Sequence, residues 1–245
     1  MSALRPFRLA MLQMEVRGGD KPANVRRALE RIATAADHGA DVVLLPECLD
    51  LGWTHPSSRA QAEPVPDGGV CAALRDAARR HSLIVCAGLT ERDGDRVYNA
   101  AVLIDSHGEL LLRHRKIHEL DIAHDVYDQG DRLNVASTPL GTIGVLIRAD
   151  ACAPDRVLAR SLGRMGADLI LSPCAWAVSP AFDNDAEPYG QLWRDVYTAT
   201  AREFGCAVVG VSNVGPVDGG PWDGWRCIGC SLAVDPHGQI VRHAR

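Results

Sequence analysis

Short apolar runs alternate with helical periodicity in the first half of the chain. The runs are rich in branched residues and bounded by polar or turn-forming positions, which is typical of buried strands. The predicted strands are Phe7–Met14, Asp41–Leu45, Leu83–Leu89 and Val97–Asp105. Between them, apolar residues recur every three or four positions, as in amphipathic helices. The predicted helices are Lys21–Gly39 and Val70–His81, and a polar, Pro-rich connection covers Trp53–Gly69.

The same pattern returns in the second half. Strands are predicted at Ile143–Ile147, Asp168–Ser172, Ala207–Ser212 and Cys230–Asp235, helices at 155–165 and 189–205, and a Gly-rich connection at 213–224. Each half therefore has the order β-α-β-α-β-β. Each sheet has an apolar face that needs cover, which predicts two sheets with helices outside them, an α/β fold. No linker composition separates the halves, so residues 1–245 are predicted to form one domain.

The stretch from Gly141 to Trp176 is a β-turn-α-β unit. Its first strand ends at Ile147, and the predicted turn covers Arg148–Pro154. Units of this kind place their chemistry where a strand ends in a turn. The residue at that position here is Arg148.

Composition and charge exclude several classes of function. Apolar residues make up 47% of the 245 residues and charged residues 23%, which is a globular balance. The net charge of −5 gives no basic face for nucleic acid. There is no apolar run of membrane-spanning length and no hydrophobic core of a signal peptide, so we expect a cytoplasmic protein without membrane or nucleic-acid partners.

The eight cysteines are expected to be reduced thiols. Cys86, Cys174 and Cys206 lie inside strand-like runs, and free cysteine is among the most buried residue types. Cys227 and Cys230 form a C-x-x-C pair that could serve redox chemistry or bind a metal. No second pair or suitably spaced histidine follows, which favours simple thiols and no metal site.

Two charged residues at strand ends are candidates for catalysis. Glu47 follows a buried strand, where burial would raise the pKa of its carboxyl towards the range of a general base. A helix-start or surface glutamate is the alternative. Lys116 lies between an apolar strand and a polar loop, and a lysine in such a basic cluster is usually solvated.

The Gly141–Trp176 stretch resembles the nucleophile region of the nitrilase superfamily, the carbon–nitrogen hydrolases. The matching landmarks are Gly144, Ile147, Ala149, Asp150, Gly166, Ala167, Asp168, Ala175 and Trp176, and the family's cysteine column falls on Arg148. The resemblance implies a four-layer αββα sandwich, no cofactor, and a homodimer or higher homo-oligomer. It also implies that Glu47, directly after a proline, is the base. Lys116, in an arginine-lysine-isoleucine motif, would stabilise the tetrahedral intermediate.

The resemblance implies further site residues in the following loop and turn. Many relatives carry a second glutamate shortly before the aromatic residue that Tyr127 resembles. That column falls on or near His124, and the available carboxylates are Glu119 and Asp125. Glu119 is the preferred substitute, although an exposed loop residue is an equally good interpretation of each. Tyr127, His124, Ala149 and Trp176 are the residues expected to bind substrate.

Arg148 is the departure from the family pattern. A guanidinium stays protonated and has no lone pair to attack a carbon, so covalent catalysis at this position is lost. We expect Arg148 to form an ion pair with Glu47 and to repel Lys116. Cys152 is not expected to replace the nucleophile, because four residues along a turn displace the sulfur too far. Cys48 is expected to point away from Glu47.

Three interpretations follow. The first is a carbon–nitrogen hydrolase of the amidase, carbamoylase or nitrilase type whose nucleophile is replaced by Arg148. Its partner would be a small amide, carbamoyl compound or nitrile. The second is a natural pseudoenzyme that binds a small ligand or partner without hydrolysis. The third is a redox or metal protein built on the C-x-x-C pair. Retention of Glu47 and Lys116 together favours the first.

Overall fold

The computed structural model describes residues 6–186 and 190–244. Its strands, in chain order, are β1 Leu9–Met11, β2 Val42–Leu44, β3 Ile84–Asp93, β4 Arg96–Ile104, β5 Leu110–Arg115, β6 Val135–Thr138, β7 Gly141–Val145, β8 Leu169–Cys174, β9 Ala177–Val178, β10 Ala207–Ser212, β11 Val214–Pro216, β12 Arg226–Ile228, β13 Leu232–Val234 and β14 Ile240–His243. Its helices are α1 Lys21–Asp37, α2 Ser58–Gln61, α3 Gly69–His81, α4 Val157–Arg164 and α5 Gln191–Phe204. Three 3₁₀ turns occur at Asp121–Ala123, Arg148–Cys152 and Pro154–Arg156.

Two large sheets form the centre of the fold. The first has the order β1-β2-β3-β4-β5, and the second has the order β14-β13-β10-β8-β7-β6. Strands β1, β2 and β3 are parallel, as are β7, β8 and β10. Strands β4, β5, β6, β13 and β14 pair antiparallel with their neighbours. A small third sheet has the order β11-β12-β9.

An apolar layer lies between the two large sheets. Leu44 and Leu103 from the first sheet share one buried cluster with Ile143, Leu171 and Val211 from the second. The outer face of the first sheet packs against α1 and α3, and that of the second packs against α4 and α5. This is the predicted αββα sandwich, and the prediction is confirmed.

The predicted elements hold with shifted ends and several omissions. The strand predicted at Ile143–Ile147 is Gly141–Val145. The helix predicted at 155–165 is Val157–Arg164, because the 3₁₀ turn Pro154–Arg156 occupies its first residues. The sequence did not predict strands β6, β9, β11, β12 and β14. They are short or exposed, and they form because they pair with neighbouring strands, which the local sequence does not show. The predicted start of the helix at residue 189 lies outside the described residues. Among the helices of the described ranges, none combines the length with the apolar composition of a membrane-spanning segment.

Candidate active site

Three strand ends converge on one region between the sheets. Glu47 follows β2 and Lys116 follows β5, both in the first sheet, while Arg148 follows β7 in the second. The backbone N–H of Glu47 donates to the carbonyl of Cys174 at the end of β8 (3.2 Å), which joins the sheets here. Gly88 in β3 permits the close approach of this loop, since a Cβ at that position would lie 2.6 Å from the Cα of Glu47.

Lys116 lies between two carboxylates. Its Nζ is 2.7 Å from Oε1 of Glu47 and 3.3 Å from Oε2 of Glu119, and all three side chains are 0% exposed. The structure therefore brings the two glutamates named from the sequence to the same ammonium group, and Glu119, not Asp125, is the second carboxylate. A lysine in this position is not part of a solvated face.

The surroundings of this cluster shift the pKa values of Lys116 and Glu119. Burial alone would lower the pKa of Lys116, but the negative charges of Glu119 and Glu47 outweigh it, so the pKa is raised and the lysine is an ammonium. Burial raises the pKa of Glu119, and repulsion from Glu47 adds to this effect, while the charge of Lys116 opposes it. A buried acid beside a buried ammonium can hold or move a proton and can stabilise developing negative charge.

Asn99 is a site residue that the sequence reasoning missed. Its Nδ2 donates to Oε1 of Glu47 (2.6 Å), and its Oδ1 lies 3.4 Å from the Sγ of Cys48. The amide thereby fixes the orientation of the Glu47 carboxylate. The available signal was a polar amide inside the apolar run of β4, where burial requires a hydrogen-bond partner.

Arg148 has a strained backbone and points towards Trp176. Its φ of 34° lies in the left-handed region, which a non-glycine residue adopts at a cost of about 1–3 kcal/mol. The centre of its guanidinium lies 4.5 Å from the centroid of the Trp176 ring, a cation–π contact. The expected ion pair with Glu47 is wrong: within the described ranges the carboxylate of Glu47 pairs with Lys116. The positive charge of Arg148 does act on Lys116, since it opposes the rise of the lysine's pKa.

Asp150 holds the turn that carries Arg148. Its carboxylate lies 2.7 Å from Nε2 of His114 and accepts hydrogen bonds from the backbone N–H groups of Ile117, His118 and Ile147 (2.7–3.0 Å). Burial opposes ionisation, but these partners lower the pKa of Asp150. The same side chain thus ties the turn after β7 to the loop that follows Lys116.

A cavity of about 480 Å³ opens beside this cluster. It is lined by Arg148, Ala149, Cys152 and Trp176 from the second sheet's loops and by His118, Leu120, Phe182, Gln191, Leu192 and Trp222. Two of the expected substrate-binding residues, Ala149 and Trp176, therefore face it. Glu47, Lys116 and Glu119 are not part of this lining, and they lie fully buried behind it.

The other two expected substrate-binding residues lie elsewhere. Tyr127 is buried, and its hydroxyl accepts a hydrogen bond from the backbone N–H of Thr54 (3.0 Å) and lies 3.6 Å from the Sγ of Cys48. His124 is exposed at the end of the 3₁₀ turn Asp121–Ala123. In the part of the chain that is described, neither residue lines the cavity, because the loop folds Tyr127 inward against β4 and leaves His124 on the surface.

No cysteine stands at residue 148, the position to which the resemblance assigns the nucleophile. Cys152 lines the cavity, but burial raises the pKa of its thiol, against the opposing charge of Arg148. Cys48 was expected to point away from Glu47; its Sγ contacts the Oδ1 of Asn99, whose Nδ2 donates to Glu47. Burial raises the pKa of Cys48 well above its usual value. All eight cysteines are free thiols, the C-x-x-C pair included, and the described residues contain no cluster of three or more metal-ligating side chains.

Comparisons with known proteins agree with this architecture. The sequence model of the family described as carbon-nitrogen hydrolase matches residues 8–245. An (R)-stereoselective amidase from Pseudomonas sp. is 30% identical over 97% of this chain and 81% of its own. A nitrilase from Pyrococcus abyssi is 33% identical over 97% of this chain and 84% of its own. Among solved structures, Nit3 of Saccharomyces cerevisiae, a nitrilase-superfamily member, superposes with a TM-score of 0.82 at 25% identity, covering 99% of this chain and 89% of its own.

Proposed function

This chain belongs to the carbon–nitrogen hydrolase family. We propose that its site is built to hydrolyse the C–N bond of a small amide, carbamoyl compound or nitrile. In its present form the site lacks the nucleophile. The observation that carries the proposal is the buried contact of Lys116 with Glu47 and Glu119 beside the strained turn at residue 148. An idle pocket gains nothing from burying three charges, since replacing such a group as a whole with well-packed apolar residues is often neutral or stabilising.

The roles follow from the chemistry of a thiol at position 148. The sulfur would attack the amide carbon while its proton passes to Glu47, and the C=O electron pair would move onto oxygen beside the Lys116 ammonium. Glu47 would return the proton to the departing amine. It would then take a proton from the water that attacks the thioester and pass this proton to the departing sulfur, so that the acid and the free thiol are released. Arg148 cannot begin this sequence, because a guanidinium has no available lone pair.

A second candidate function is ligand binding without hydrolysis. The observation that favours it is the position of Arg148, whose guanidinium lies against Trp176 at the wall of the cavity instead of pairing with Glu47. Arg148 is thus held in a defined position that faces the space where a substrate would bind. In this candidate, Lys116 and the two glutamates support the cavity wall from behind.

The variant Arg148→Cys tests the first candidate. The strained backbone at residue 148 is already formed, so the new sulfur should occupy the position from which a nucleophile attacks. We expect the variant to release ammonia from at least one member of a panel of amides, nitriles and carbamoyl amines, at least about a thousandfold faster than the natural chain. Mass spectrometry of the variant should detect the covalent acyl adduct.

The matched control is the double variant with Arg148→Cys and Glu47→Gln, which keeps the thiol and removes the base. It should be inactive. A folded Arg148→Cys variant that is inert across the panel would contradict the first candidate, as would turnover by the natural chain.

We also propose that the chain forms a single domain and works in the cytoplasm. The apolar layer shared by the two sheets supports the first point, because neither sheet could bury that face alone. The free thiols support the second, since reduced cysteines are typical of a reducing compartment. The homo-oligomer implied by the family stays a prediction that size-exclusion chromatography with light scattering would check.

A further inference from the structure

The two carboxylate oxygens of Glu47 have different surroundings. Asn99 donates from Nδ2 to Oε1 at 2.6 Å, and Lys116 donates from Nζ to the same Oε1 at 2.7 Å. Among the residues that the structure describes, Oε2 is buried and has no hydrogen-bond partner. One oxygen of this carboxylate is therefore held by two donors, and the other by none.

This asymmetry decides which oxygen can act as a base. An oxygen that accepts two hydrogen bonds, one of them from a cation, is a poor proton acceptor, because its lone pairs are already engaged. A buried carboxylate oxygen without a partner gains most from a proton, since no water compensates for the missing bond. A proton released beside Glu47 would therefore go to Oε2.

Asn99 is itself held in one orientation. Its side chain is 1% exposed, and the Sγ of Cys48 donates to its Oδ1 at 3.4 Å. Burial raises the pKa of the Cys48 thiol well above its usual value, so the thiol keeps the proton that it donates. The backbone N–H of Lys116 also donates to the carbonyl of Asn99 (2.9 Å). With a donor at Oδ1, the amide presents Nδ2 to Glu47 and cannot turn over.

Lys116 alone would not fix the carboxylate of Glu47. An ammonium is a point charge on a flexible stem with three rotatable donors, so it can bond either oxygen of a carboxylate. Its Nζ also lies 3.3 Å from Oε2 of Glu119, which competes for it. A planar amide that is held from its other side supplies a donor in one direction only. The selection of Oε1 therefore depends on Asn99.

We infer that Asn99 is a positioning residue for the base: together with Lys116 it holds Oε1 of Glu47 and so makes Oε2 the atom that takes the proton of the nucleophile. The inference rests on the first candidate of the proposed function and adds a residue and an atom to it. In this role Asn99 exchanges no proton and acts only through Glu47.

The test follows the reaction of an introduced thiol with iodoacetamide. In Arg148→Cys the sulfur bonds to the CH₂ carbon, iodide leaves with the electron pair of the C–I bond, and the thiol proton passes to Oε2 of Glu47. Peptide mass spectrometry over time gives the rate at residue 148. Alkylation of Cys152, which lines the cavity, reports access in the same sample. Adding Asn99→Leu should slow alkylation at residue 148 by about 10- to 100-fold and leave that of Cys152 within about twofold.

A second background shows whether Asn99 acts through Glu47. Glu47→Gln in Arg148→Cys should slow alkylation at residue 148, and adding Asn99→Leu should then change the rate by less than about twofold, because the proton acceptor is already gone. Equal losses from Asn99→Leu in both backgrounds would show a general structural effect and overturn the inference. A rate that falls with neither Asn99→Leu nor Glu47→Gln would also overturn it.

Thr200→Val is the matched control for the loss of a buried polar group. Thr200 is 1% exposed in α5, and its hydroxyl contacts Arg156 and not Glu47. This variant should leave the rate at residue 148 within about twofold, and a loss as large as that of Asn99→Leu would assign the effect to stability. Asn99→Ala removes the amide without adding bulk and takes the place of Asn99→Leu if the latter does not fold.

This experiment and the panel of amides, nitriles and carbamoyl amines fail separately. Turnover of the panel by Arg148→Cys, with equal losses from Asn99→Leu in both backgrounds, would leave the hydrolase candidate standing and remove this inference. An inert panel with an alkylation loss that depends on Glu47 would do the reverse. Where turnover occurs, Asn99→Leu should lower kcat by about 10- to 100-fold and leave KM within about threefold, because it changes proton transfer and not binding.

Discussion

Replacement of Lys116 by methionine should strongly destabilise the fold at neutral pH. The side chain keeps a similar length but loses its charge, and the carboxylates of Glu47 and Glu119, which lie 2.7 and 3.3 Å from Nζ and are 0% exposed, lose their counter-ion. Removing one partner of a buried ion pair costs about 3–5 kcal/mol, because the remaining charge stays out of water. Asn99 retains its hydrogen bond to Glu47 and offsets only part of this loss.

The loss should depend on pH in a defined direction. Without the ammonium, burial and repulsion from Glu47 hold the folded-state pKa of Glu119 further above its unfolded value of 4.5. The folded variant then binds more protons than the unfolded chain, so its stability falls as the pH rises through this window. Its deficit relative to the natural chain should therefore be small near pH 4.5 and largest above pH 7.

Urea unfolding followed by circular dichroism at several pH values measures this effect. The double variant with Lys116→Met and Glu119→Gln removes one of the two uncompensated charges and should recover part of the stability at pH 7.5. A Lys116→Met deficit below about 1 kcal/mol at pH 7.5, or one that does not change with pH, would refute the reasoning. It would mean that the three side chains do not form the buried cluster described above.

Two further predictions concern the supports of this region. Burial raises the pKa of Asp50 from 3.8 to about 6, although hydrogen bonds from Thr90 oppose this rise. The protonated carboxyl therefore contributes to the free energy of unfolding at low pH, and this contribution is lost as the pH rises through 6. As the pH rises from 4.5 to 7.5, the free energy of unfolding of Asp50→Asn, measured by denaturant titration, should increase relative to that of the natural chain by up to about 3 kcal/mol. A difference between the two proteins that does not change with pH would contradict this. Gly88→Ala would place a Cβ 2.6 Å from the Cα of Glu47. Thermal unfolding should show that this variant is less stable than the natural chain by at least about 1–3 kcal/mol. The control Gly69→Ala meets only a Glu63 oxygen at 3.5 Å and should be neutral or slightly stabilising, so equal losses in both would argue against the close approach.

The secondary structure of the central layers could be predicted because local periodicity encodes it. In α1, Val25, Leu29 and Ile32 recur at helical spacing, and the structure has a helix over Lys21–Asp37. The buried parallel strands could be predicted because they are continuous apolar runs. Both faces of such a strand are covered, so apolar residues do not alternate with polar ones. Asn99 was missed because its requirement for a partner is visible only when the residues packed against β4 are known.

The strand ends that carry Glu47, Lys116 and Arg148 could also be located from the sequence, since turns interrupt the apolar runs there. The sequence by itself determined the αββα class and the absence of a nucleophilic side chain at residue 148. Tertiary structure alone decided that Glu119 joins Glu47 at Lys116, 69 residues along the chain from Glu47. It also decided that Arg148 turns to Trp176 and not to Glu47. The physical reason is that both outcomes depend on distances between side chains from strand ends and loops far apart in the chain, and those distances exist only once the strands have paired and the loops have packed.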